Sequence, residues 1–190
     1  MFGRLTEVAL LVALISQVSA AQTYFPPGIP EDTSDHALVL KALREPSLWE
    51  LSRRDPSAEA YRFLYLRERD RPASIRFLVS KSGSTGWFYR RMCAGRGDQP
   101  GGIREYGMSW SWKSRTASFL AIIEDQGFWN LATLDARVSG CQSHWIIEGI
   151  RQGQYHVVDR CSPDPADPAR VIAAHAMKWG NLRIQKSRIY

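Results

Sequence analysis

Residues 141–161 read CQSHWIIEGIRQGQYHVVDRC, and the reading of this stretch decides the fold. Two runs with period-two character, His144–Gly149 and Gln154–Arg160, flank a short polar connector that ends in Gly153, as in an antiparallel hairpin. A two-residue turn at Gln152-Gly153 would put Glu148 opposite Val157 and mix polar with apolar residues on each face. A three-residue loop, Arg151 to Gly153, pairs Glu148 with His156 and His144 with Arg160. Only this second register segregates the side chains, since they alternate with period two, and it is the one expected. One face then carries Trp145, Ile147, Tyr155 and Val157. The other carries His144, Glu148, His156 and Arg160, with Ile146 and Val158 between them.

The same period recurs upstream in Tyr61–Leu66, Ser74–Ser80, Trp87–Met92 and Arg104–Trp112. In the last of these Tyr106, Met108, Trp110 and Trp112 share a face. Lys81–Gly86 is a hairpin loop by composition, and a glycine-rich loop runs from Gly95 to Gly102. Helical spacing appears in three places. Ser34 caps a helix to about Arg44 with Leu38, Leu40 and Leu43 as its apolar positions. Ser114 opens another to about Asp125, with Phe119, Leu120, Ile122 and Ile123 as its stripe and Gly127 as its stop. The third runs from Pro168 to Lys178 and stops at Gly180. Pro46–Leu51 predicts a further short turn that drops Leu48 and Trp49 into the core, and Leu182–Lys186 a final edge strand.

Short loops between strands mean antiparallel pairing. The order therefore predicts an α+β fold, an antiparallel sheet of about six strands with helices packed on one face. A parallel α/β sheet is the alternative.

Chemistry concentrates on the hairpin. His144, Glu148 and His156 on one face are weak catalytic candidates: two imidazoles and a carboxylate form a zinc set without a clear fourth ligand, and a Glu–His pair is a minimal acid/base couple. A solvated face with cross-strand charge pairs worth tenths of a kcal/mol explains the same residues more simply. No cofactor-binding motif, phosphate loop, nucleophile elbow or H-E-x-x-H signature occurs. Cys93, Cys141 and Cys161 fit no zinc spacing; Cys141–Cys161 is the favoured disulfide of the three pairings, with Cys93 left over.

The N-terminus reads as a signal peptide over residues 1–20: an apolar run Val8–Ile15, then Val18-Ser19-Ala20 as a small-residue cleavage site. The run is too short to span a bilayer, no other segment qualifies, and no lipid-anchoring cysteine follows it. The chain then divides into an extended leader, 21–32, held irregular by Pro26, Pro27, Gly28 and Pro30, and one α+β domain, 33–190. About 170 residues remain after cleavage, enough for one core. Export, to the periplasm or medium of a bacterium, is the expected localisation, and it makes a disulfide tenable.

The net charge is +6, carried by 25 Lys and Arg against 19 Asp and Glu. These cations are scattered among acids and aromatics with no acid-free basic stripe, which speaks against nucleic acid as a partner. Arg96-Gly97-Asp98 is a tripeptide match of the kind that arises by chance.

Phe128-Trp129, Trp145-Ile-Ile-Glu148-Gly149, Gly153-Gln-Tyr155-His156-Val-Val-Asp-Arg160 and Ser162-Pro163 together resemble a pattern of exported bacterial proteins with no established activity. The resemblance covers the last third of the chain and implies export, not function. The expected role is a non-catalytic exported binding domain for a protein or an anionic envelope polymer. The alternative is an envelope hydrolase or metal-dependent enzyme centred on the 144–160 hairpin.

Overall fold

A computed structural model describes residues 23–29, 33, 36–67, 71–81, 85–92, 102–111, 113–134 and 141–180. The expected signal peptide, Cys93, the 96–98 tripeptide and the 182–186 strand lie outside them, as do the side chains of Tyr106, Met108, Trp110 and Trp112. The fold is α+β. Its strands are β1 (Glu59–Arg67), β2 (Ala73–Val79), β3 (Thr85–Met92), β4 (Ile103–Ser111), β5 (Ser143–Arg151) and β6 (Gln154–Cys161). They make one antiparallel sheet in the order β4-β3-β2-β1-β5-β6. Its helices are α1 (His36–Ala42), α2 (Leu48–Arg54), α3 (Lys113–Asp125) and α4 (Pro168–Trp179), with a 3-10 turn at Phe128–Asn130.

The helices cover both faces of the sheet, which corrects the expectation of one. Alternation along β1 and β5 explains it. Tyr61, Phe63, Tyr65, Trp145 and Ile147 join Phe119 and Ile123 of α3 and Ile172, Ala173 and Ala176 of α4 in one core. Leu64, Ile146 and Val157 point the other way, into Leu40, Leu43, Tyr24 and Phe25; Ala60 and Ile150 meet Leu48 of α2. The stretch read as a leader is thus partly core, irregular in backbone but burying Tyr24 and Phe25. Leu38, expected among the apolar positions of α1, is 72% exposed, because it lies on the far side of the helix from Leu40 and Leu43.

Local signals fit the helix ends. Ser47 caps α2 by accepting from the Glu50 N–H at 3.0 Å, and Asp167 caps α4 by accepting from the Ala169 N–H at 2.7 Å with Pro168 at N1. Gly127 closes the turn after α3 at φ 62°.

The hairpin register also departs from expectation. Glu148 lies opposite Val157, Gly149 opposite His156 and Arg151 opposite Gln154. The turn has two residues, Gln152 at φ 53° and Gly153 at φ 74°, the left-handed pair that a primed hairpin turn requires. Segregation of polar from apolar side chains decides a register only where one face meets water. Here both faces are covered, so the turn chemistry decides. Each face consequently mixes apolar and polar groups, and the polar ones must find partners inside the protein.

Candidate functional site

The observed register separates the three residues singled out from sequence. His144 and Glu148 share a face with Tyr155 and Asp159, whereas His156 points into the opposite core. There its ring lies 5.0 Å from that of Phe128 and 6.2 Å from that of Trp129. Burial, with the nearby Arg160 guanidinium adding to it, holds its pKa below the usual imidazole value. His156 therefore cannot join His144 in a metal or acid/base set. It belongs to an aromatic cluster that closes over Gly149, where a Cβ would stand 2.6 Å from Phe128 Cε1. Four residues of the sequence pattern noted above, Phe128, Trp129, Gly149 and His156, thus meet as packing partners.

Glu148 is likewise engaged. Its carboxylate accepts from Arg62 Nε of β1 at 2.6 Å and from the Tyr155 hydroxyl at 2.9 Å. Arg62 also donates to the Pro46 carbonyl at 2.6 Å. Both charged side chains have no exposure. On Arg62, burial alone would lower the pKa, and Glu148 and Glu45 more than offset it, leaving it raised; burial first, then Glu148, raises that of Tyr155. Arg76 extends the network to Glu45 at 3.0 Å. Positive and negative groups balance, every described contact is internal, and a catalytic carboxylate needs neither feature.

His144 has different neighbours. Its Nδ1 lies 3.1 Å from Asp159 Oδ1, and His36 Nε2, from α1, lies 3.3 Å from Asp159 Oδ2. Thr33 donates its hydroxyl to the same Oδ2 at 3.1 Å. The two imidazole rings are 4.9 Å apart, tilted by 59°. One ligand atom from each of His36, His144 and Asp159 falls within 4.8 Å of the other two. Next to them Cys161 pairs with His144 across the ladder, and Cys141 and Cys161 stand as a disulfide with Cα atoms 5.3 Å apart. The cross-link holds the open end of the hairpin, where His144 begins β5.

Charge distinguishes this cluster. Asp159 is buried, with 2% of its side chain exposed, against 12% for His36 and 34% for His144. Burial would raise its pKa, but the hydrogen bonds and charges of His144 and His36 outweigh this and bring it down to about 2. At neutral pH the carboxylate is ionised and can only accept, so each imidazole turns a ring N–H toward it. No arginine or lysine pairs with that buried carboxylate among the described residues. The site can be completed by protonating an imidazole or by a metal ion coordinated in its place. Imidazole and carboxylate donors suit zinc and its neighbours, and three protein ligands leave a fourth position open.

His36 and Asp159 were not singled out from sequence. Asp159 shares the His144 face only in the two-residue register, so the turn dipeptide Gln152-Gly153 was the missing signal. For His36 there was none: it is an isolated histidine more than 100 residues from its partners. Compared with known proteins, the chain matches no family model and no curated protein sequence.

Proposed function

We propose that this is an exported binding protein whose ligand is a divalent transition-metal ion of the zinc class, held by His36, His144 and Asp159. The convergence of those three side chains on one point, around a buried carboxylate lacking a permanent cation, carries the reading. Ligand atoms on a tetrahedral zinc at about 2.0–2.1 Å stand a little over 3 Å apart. The two Asp–His spacings, 3.1 Å to Oδ1 and 3.3 Å to Oδ2, are of that size, and coordination through one carboxylate oxygen needs only one imidazole to move toward it. The imidazole nitrogens, within 4.8 Å of each other, then draw together around it. Thr33 supports the carboxylate as an outer-shell partner. Exposure of His144 supplies the route in.

An open fourth position would lower the pKa of a bound water and give the site hydrolytic capacity. Binding is the primary reading because the network around Glu148, the other carboxylate of this face, is fully engaged in structure and offers no second acid/base group.

Zinc content after dialysis and the visible spectrum of the cobalt-loaded protein test this. One equivalent is expected for the wild type and for His156→Gln, and none for Asp159→Asn or His36→Gln. A wild type that retains no metal at micromolar zinc, or an Asp159→Asn variant that retains it, overturns the assignment. Export has its own check: protein recovered from the envelope or medium should begin at Ala21 or Gln22, and an intact Met1 in soluble cell extract would refute it.

A further inference from the structure

On the sheet face away from the histidine cluster, α3 and α4 run over the aromatic core and leave a groove of about 370 Å³ between them, the size range of small-ligand sites. Arg115, Ser118, Phe119 and Ile122 line it from α3, at spacings of three, four and seven that place them on one helical stripe. His175, Lys178 and Trp179 line it from α4 in the same way. The floor is apolar: the rings of Phe119 and Trp179 lie 5.1 Å apart, and Phe77 stacks beneath Trp179 at 5.3 Å. The rim is cationic and contains no acid. Arg115 and Lys178 are exposed and have no ion-pair partner among the described residues, while His175 Nδ1 lies 2.9 Å from the Val171 carbonyl of its own helix.

We propose that this groove binds a fatty-acyl anion, with the chain on Phe119, Ile122 and Trp179 and the carboxylate between Arg115 and Lys178. An apolar floor under an all-cationic rim complements an amphiphile with one negative head. The α3 stripe from Arg115 to Ile122 covers about 10 Å of helix length, which favours a narrow chain over a broad flat ligand.

Isothermal titration of the full mature protein, with chelator present and salt low, reads the proposal independently of the metal site. The probes are dodecanoate below its micellar concentration, dodecanol, dodecyltrimethylammonium and 2-naphthoate. Dodecanoate should bind at one equivalent, and the alcohol and the cation about tenfold or more weaker, since a charge-assisted contact is worth at least that factor. An Arg115→Glu/Lys178→Glu variant should lose the same factor for dodecanoate while melting with the wild type. Ile122→Trp, which fills the groove, should abolish binding. Equal affinity for the alcohol, an unaffected double variant, or tighter binding of naphthoate overturns the acyl-anion assignment. Failure of every probe means that the groove is occupied or closed, and overturns it too.

Discussion

Two polar clusters lie on the same face of the β5–β6 hairpin, and they are built on opposite principles. Around Glu148, a cation and an anion with no solvent exposure neutralise each other, while a tyrosine hydroxyl donates to the carboxylate and the guanidinium donates to a backbone carbonyl. Around Asp159, one buried anion meets two imidazoles and a threonine hydroxyl, with no arginine or lysine paired to it among the described residues, and one of the imidazoles reaches solvent. A closed, balanced network has nothing to gain from a ligand. An open one without a fixed cation does. Carboxylates and histidines at similar depth in a fold are thus sorted by what already satisfies them, not by residue type.

The largest way to break the first cluster is Glu148→Ala. It strands the Arg62 guanidinium in a site without solvent exposure, and the expected loss is about 3–5 kcal/mol in urea unfolding. A loss under about 1 kcal/mol would mean that Arg62 finds another anion and the network is not closed. Asp159 makes its contribution through pH. Its folded pKa of about 2 lies below the ordinary aspartate value of 3.8, so the stabilisation is fully present above pH 4 and disappears as pH falls toward 2. For metal-free protein the expected decline is roughly 2 kcal/mol, measured by urea titrations from pH 5 to 2. Asp159→Asn should lack that portion of the acid limb, and an unchanged limb would refute the linkage.

Smaller effects sharpen the contrast. Tyr155→Phe removes one hydrogen bond to a charged acceptor but leaves the Arg62 pair, and should cost about 1.5–3 kcal/mol by the same urea measurement. His144→Gln should change metal-free stability by only about 0.5–1 kcal/mol, because its side chain is a third exposed. Its consequence should instead appear as a loss of zinc retention. If metal-free His144→Gln is as unstable as Glu148→Ala, the two clusters are alike, and the contrast drawn between them fails.

The strands were legible because period-two alternation is a local property, and several helix ends because Pro168, Gly127 and Gly180 act on their immediate neighbours. The caps Ser47 and Asp167 emerge only in the structure, and α3 begins at Lys113, so that Ser114 lies within it rather than capping it. The disulfide partner was legible from topology, since any register of the hairpin brings 141 and 161 to its open end. The register differs by one residue from the one that segregation of polar groups favours, because segregation presupposes a wet face; this shift puts His156 on the other face and Asp159 beside His144. Arg62 reads in isolation as a surface residue within a strand; only the strand order, with β1 beside β5, reveals its partner. Pairings across 86 residues, as for Arg62 and Glu148, are set by the assembled sheet and leave no local trace.

The hydrogen bond between Thr33 and Asp159 joins positions 126 apart in the chain, and that separation fixes a sequence in time. A polypeptide that emerges N-terminus first exposes His36 early and completes its site only when the last hairpin has arrived. Closing so long a loop is entropically costly and comes late in folding. Until then an isolated imidazole is all that the early segment can offer an ion. A chain delivered across a membrane unfolded would therefore arrive without cargo, and acquire it only where it finishes folding.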